Sequence, residues 1–162
     1  MLPTPNRIAH DVTTGREISL LTLDGMQTSF GWRENGGQKF ACFCAMDASG
    51  VPTEELSTFC ARLIGLGCGY FCAWGPDCER LHDIMDAEVI GDNPPETDLG
   101  CLMTTWHARE SLGEAVNFFL TCTVPDAGYA PNGCAYGVAI AVACAAWAAE
   151  IEEHILAATA TA

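Results

Sequence analysis

The run GCGYFCAWGPDCERLHDIMD, Gly67 to Asp86, changes character halfway along. Its first part, CGYFCAW (68–74), is short, apolar and aromatic, the pattern of a strand buried on both faces of a sheet. Gly75-Pro76 breaks that pattern. Beyond the break, Cys78, Leu81, His82, Met85 and Val89 recur at the spacing of one helix face. A buried strand, a tight turn and an amphipathic helix make half of a βαβ unit. Whether the chain repeats that unit decides its fold.

The unit recurs in both directions. Upstream, KFACFCAM (39–46) reads as a buried strand, and TEELSTFCARLIGLG places Leu56, Phe59, Cys60, Leu63 and Ile64 on one helical stripe. Thr53 is expected to cap this helix, with Glu54 and Glu55 at the positive end of its dipole and Gly65 or Gly67 as the left-handed stop. Downstream, LGCLMTTW (99–106) predicts a strand. SLGE (111–114) is a capping box opening a helix with Leu112, Ala115, Val116 and Phe119 inward. CAYGVAIAV (134–142) and residues 145–157 are the expected last strand and helix, and EISLLTL (17–23) is one further strand ahead of the series. Residues 1–16 predict a loosely held arm. Residues 24–38, with four glycines, predict a loop or a short hairpin, and 91–98 and 124–133 predict loops.

This alternation predicts one α/β domain over residues 1–162, small, three-layered and Rossmann-like. Its mainly parallel sheet has four to five strands with helices on both faces. The central strands are expected at 40–46, 69–74, 100–105 and 137–142. A length of 162 residues suits one domain with a sizeable core.

Twenty-one acidic residues stand against seven basic ones, a formal net charge of −14. Such a surface repels phosphate backbones and anionic membranes, so neither nucleic acid nor a membrane is an expected partner. A protein partner is expected; the surface could steer a basic one, and equally serves solubility alone. The stretch Ala127–Ala149 carries no charge, but its proline, glycines and alanines suit a buried strand and helix better than a membrane span. No two of the ten cysteines have C-x-x-C spacing, so zinc-ribbon, thioredoxin and haem signatures are missing. Most of them lie among apolar neighbours, where a thiol packs as a small hydrophobe, and Cys42, Cys44, Cys72 and Cys101 are expected to be buried. The first residues lack the long apolar core of a signal peptide, so a cytoplasmic protein with reduced thiols is expected.

The run YFCAWGPDCERLHDIMD, with the later VAIAV and WAAEI, resembles a small bacterial domain family of unknown function. The resemblance covers about a quarter of the chain. It implies a bacterial origin and an α/β fold, and it assigns no chemistry. VACAAWAAEI is unusually rich in alanine for it.

In an open parallel sheet, ligands bind beyond the carboxyl ends of the strands. That rule selects Met46-Asp47, Trp74 to Cys78, Thr104 to His107, and Ala143-Cys144. No P-loop, no G-x-G-x-x-G and no G-x-S-x-G elbow is present. Cys78 in the first turn of a helix, with His107 as base and Asp77 beside it, could form a thiol nucleophile. Its acidic neighbours Asp77 and Glu79 and its place in the buried stripe favour a packed thiol instead. Glu79, Asp83 and Asp86 share a helix face, with His82 one turn from Asp86, but read as a solvated acidic surface rather than a metal site. Trp74 and Trp106 both end strands and are expected side by side on one rim, either sealing the core or lining a contact surface. The expected binding residues are Asp47, Trp74, Asp77, Trp106, His107 and Arg109, with no cofactor and no metal. The expected function is a non-enzymatic accessory module that docks a protein through the carboxyl edge of its sheet. The alternative is a small enzyme or nucleotide-binding domain using Asp77, Cys78 and His107.

Overall fold

The structure, a computed structural model, describes residues 2–32, 38–91, 100–129 and 133–160. Six strands form one sheet: β1 (Asn6–Asp11), β2 (Arg16–Leu23), β3 (Phe40–Ala45), β4 (Cys68–Trp74), β5 (Met103–Trp106) and β6 (Tyr136–Val142). Four helices accompany them: α1 (Thr53–Gly65), α2 (Cys78–Ile90), α3 (Leu112–Thr121) and α4 (Ala145–Ala160). The spatial order is β1-β2-β6-β3-β4-β5, with β1 antiparallel and every other pair parallel. The protein is therefore α/β with a mostly parallel sheet, and the sheet has more strands than the four to five expected.

Alternate side chains of β3 and β4 divide the core. Cys42, Cys44, Phe71 and Ala73 face α1 and α2, together with Leu56, Phe59, Leu63, Leu81 and Met85. Ala41, Phe43, Ala45, Tyr70 and Cys72 face α3 and α4, together with Val116, Phe119, Ile151 and Ile155. Burial on both faces explains why these strands read as unbroken apolar runs. The loop after β2 does the work of a helix over β6: Phe30 is buried, Trp32 meets Phe40 edge-on at 5.2 Å, and Phe40 stacks on Tyr136 at 5.5 Å. Residues 24–32 and 38–39 contain no strand, and 33–37, the rest of the expected hairpin, lie outside the described residues.

Several expectations need correction. The N-terminal arm is not loose, because residues 6–11 pair with β2 as an edge strand. Arg16 anchors the turn behind it: its buried guanidinium donates to the Cys134 and Thr123 carbonyls and to the Thr123 hydroxyl. Thr53 is not a cap. It is the first residue of α1, the cap position is Pro52, and no side chain caps that end. The strand expected at 99–106 begins only at Met103. Cys101 precedes it and is exposed, contrary to the burial expected for it. The predicted loop at 91–98 lies, beyond Gly91, outside the described residues. The capping box is present, with Ser111 Oγ accepting from Glu114 N and Glu114 Oε2 accepting from Ser111 N.

All ten cysteines are free. Seven are buried, Cys101 and Cys122 are exposed, and Cys144 lies between. Burial holds the Cys42 and Cys44 thiols well above the ordinary thiol range and pushes Cys60 and Cys72 up to about 12. Among the described residues, no helix is long and apolar enough to cross a membrane.

Candidate functional site

Strand order reverses between β3 and β6. The chain leaves β3 for α1 on one face, and it leaves the adjacent β6 for α4 on the other. A crevice opens where neighbouring strands part in this way. Here it is a cavity of about 420 Å³, lined by Met26, Met46, Asp47, Val51, Val142, Ala143, Cys144 and Trp147. Its walls are mainly apolar and include two methionines, side chains that adapt readily to a partner. Asp47 is exposed at the rim and accepts a hydrogen bond from Ser49 N at 2.9 Å, a local turn that fixes its carboxylate. Ala143, at φ 54°, holds a left-handed conformation uncommon for alanine, and its N–H donates to Leu23 O at 2.7 Å.

The opening stretch of sequence builds the neighbouring wall. Gly75 has φ 115°, and a β-carbon there would lie 2.2 Å from the Met46 carbonyl oxygen. Only glycine lets the end of β4 approach the end of β3 this closely. Met46 N donates to Trp74 O, and Ala48 N to Pro76 O, each at 3.0 Å. Arg80, one turn into α2, donates to Ala48 O at 2.8 Å, to Val51 O, and to Asp77 Oδ2 at 3.2 Å. It clamps the 47–51 loop that forms one side of the crevice. Asp77 itself sits in the left-handed region at φ 59° and does not cap α2 with its side chain.

The two tryptophans expected side by side lie on opposite faces. Trp74 pairs in register with Ala45, whereas Trp106 pairs with Ala73, so they are one residue out of phase on a two-residue repeat. Trp74 is half-buried and donates from Nε1 to Glu110 O at 2.9 Å. It meets Trp147 edge-on. Trp106, 44% exposed, lies against the His82 ring at 4.5 Å on the α2 side.

Cys78 is 1% exposed at the start of α2. Burial raises its thiol pKa. Hydrogen bonding from the backbone at His107 and Cys78 works against that rise, and the charges of Glu110 and Glu79 add to it. The His107 imidazole lies on the α3 side against Phe118, ring centroids 4.6 Å apart. Thr105 Oγ1 is 3.0 Å from its Nε2, and Glu110 Oε1 is 3.4 Å from its Nδ1. Burial lowers its pKa, partly offset by Glu110. No hydrogen bond joins the thiol to the imidazole among the described residues. Arg109 is exposed and holds Glu110 Oε2 through its backbone N–H. Asp47 alone of the six expected binding residues lines the crevice.

On α2, His82 is buried, in keeping with its place in the inward stripe. Its Nδ1 is 2.9 Å from Asp83 Oδ1 and its Nε2 3.0 Å from Thr104 Oγ1, while Thr104 donates to Asp86 Oδ1 at 2.6 Å. No cluster of three His, Cys, Asp or Glu side chains among the described residues could hold a metal.

Met26, Val51, Arg80 and Trp147 were not among the six binding residues expected from the sequence. A signal for Arg80 exists, since it stands three residues after Asp77 in the first turn of α2. Met26 and Trp147 carry none, because their place depends on β6 lying between β2 and β3.

A domain of unknown function, DUF7684, matches residues 27–130, and the chain belongs to that family. The matched region includes the Gly67–Asp86 stretch and ends before β6 and α4, so VAIAV and WAAEI lie outside it. No curated protein matches the chain.

Proposed function

We propose that this chain is a Rossmann-like, three-layer binding module without catalytic activity, cytoplasmic and acidic, that docks a protein partner in the crevice at the carboxyl edge of its sheet. The observation carrying this reading is the crevice itself, an open cavity with methionine, valine and tryptophan walls at the point where strand order reverses. The net charge of −14 and the rim carboxylate of Asp47 favour a partner that presents basic groups. The free, mostly buried cysteines suit a reducing compartment. The enzymatic alternative requires Cys78 and His107 to meet as nucleophile and base. It is disfavoured by the hydrogen bond between His107 Nε2 and Thr105 Oγ1, and by the lack of any bond between thiol and imidazole among the described residues.

Site-directed photocrosslinking tests the docking edge. A benzophenone side chain at position 47 or 143 should crosslink one and the same protein in the native host. At position 38, at the amino edge, it should not. Crosslinks from position 38 alone, or from neither edge, would overturn the reading.

A further inference from the structure

We propose that the crevice continues as a groove along α1 and receives an extended segment of the partner in which aliphatic residues alternate with lysine or arginine. This rests on the docking reading above and names its occupant. Met26 is the hinge of the argument, since it forms a wall of the crevice and also of a second cavity of about 360 Å³. That second cavity runs between residues 26–30 and α1, from Glu54 and Glu55 to Phe59 and Arg62. Val51 lines the first hollow and Glu54 the second, three residues on, so with Met26 common to both the hollows adjoin.

The lining defines what fits. Met26, Phe30 and Phe59 continue the apolar wall begun by Met46, Val142 and Trp147. Asp47, Glu54 and Glu55 place carboxylates along the same path. The one basic residue among the lining, Arg62, is already committed. Its Nη1 donates to Phe30 O at 2.7 Å, and its guanidinium lies over the Phe30 ring. In the second cavity Met26 and Phe30, with the polar Gln27, Thr28 and Ser29, form the loop side, and Glu54 and Glu55, with Thr58, Phe59 and Arg62, form the α1 side. A segment with apolar and basic residues on alternate sides matches this lining. An extended chain gains about 3.3 Å per residue against about 1.5 Å in a helix, so roughly four extended residues reach from Glu54 to Arg62. The glutamates sit in the first turn of α1, at the positive end of its dipole, and Glu55 Oε1 accepts from Gln27 Nε2 at 3.4 Å.

The test uses a phage-displayed library of random linear peptides panned against the full-length protein. Enriched peptides should alternate aliphatic with basic residues, and the paired change Glu54→Gln, Glu55→Gln should weaken them about tenfold. An equal charge change on α4, Glu152→Gln with Glu153→Gln, should leave them unaffected. Circular dichroism confirms that both variants fold. No enrichment, enrichment without basic residues, or equal loss in both variants would overturn the proposal. Peptides that lose binding on Asp47→Arg but ignore the α1 changes would defeat the groove while leaving the docking crevice standing.

Discussion

Trp74 and Trp147 meet edge to face, ring centroids 5.2 Å apart and planes at 84°, joining the end of β4 to the first turns of α4. This contact closes one side of the crevice and ties the family-matched region to the last helix. Trp74→Ala removes it together with the Nε1 bond to Glu110 O. The loss is expected at about 3 kcal/mol in urea unfolding. Trp106→Ala, where the ring is half in solvent against His82, is expected to lose about 1 kcal/mol. Equal losses would mean that Trp106 seals the core as Trp74 does.

Gly75→Ala should cost more than either. Its β-carbon would meet the Met46 carbonyl oxygen at 2.2 Å, and its φ of 115° is strained for any side chain. Both effects fall on backbone, which cannot swing aside. A loss of about 3 kcal/mol or more is expected, read as a fall in melting temperature. A variant as stable as the parent would show that the ends of β3 and β4 separate freely.

The Gly67–Asp86 stretch was legible because its chemistry is local. An apolar run, a Gly-Pro break and a 3.6-residue stripe each have a short-range cause, and so does the capping box at Ser111. Three of the four expected central strands lie close to where they were read, and the fourth, β5, is shorter. The rest depends on strand order. Nothing local to Tyr136–Val142 says that this last strand inserts between β2 and β3, yet that insertion creates the crevice and brings Trp147 to Trp74. The N-terminal strand was missed because Asn6–Asp11 is a polar edge strand. The tryptophan pairing failed on register, since two strand-terminal residues share a face only when their registers agree in parity.

Thiol reactivity should follow exposure. Iodoacetamide at neutral pH is expected to label Cys101 and Cys122 first, Cys144 more slowly, and Cys78 last with the other buried thiols. Peptide mass spectrometry at successive times gives the order. Early and selective labelling of Cys78 would restore the nucleophile reading.

Stability should also respond to His107. Burial lowers its pKa in the fold, so between the folded and the ordinary histidine value the unfolded chain binds more protons. Its contribution is fully present above the ordinary histidine range. It declines as pH falls through that range toward the folded value, and it is constant below. His107→Gln should flatten this slope in urea unfolding. A slope unchanged by the substitution would assign the pH response to other groups.

Arg80 offers the most direct access to the crevice wall. Its guanidinium reaches the carbonyls of Ala48 and Val51 and the carboxylate of Asp77, holding the 47–51 loop against α2. Charge-assisted bonds of this kind contribute about 1.5–3 kcal/mol each when buried and less at a partly exposed site such as this one. Arg80→Met keeps much of the aliphatic stem and removes the donors. Amide hydrogen exchange should then quicken across residues 47–51 while the buried strands β3 and β4 keep their protection. Peptides selected against the parent should bind more weakly, because their wall is no longer held in place. Uniform acceleration over the whole chain would make Arg80 a general stabiliser. Unchanged exchange at 47–51 would show that the loop holds its shape without the clamp.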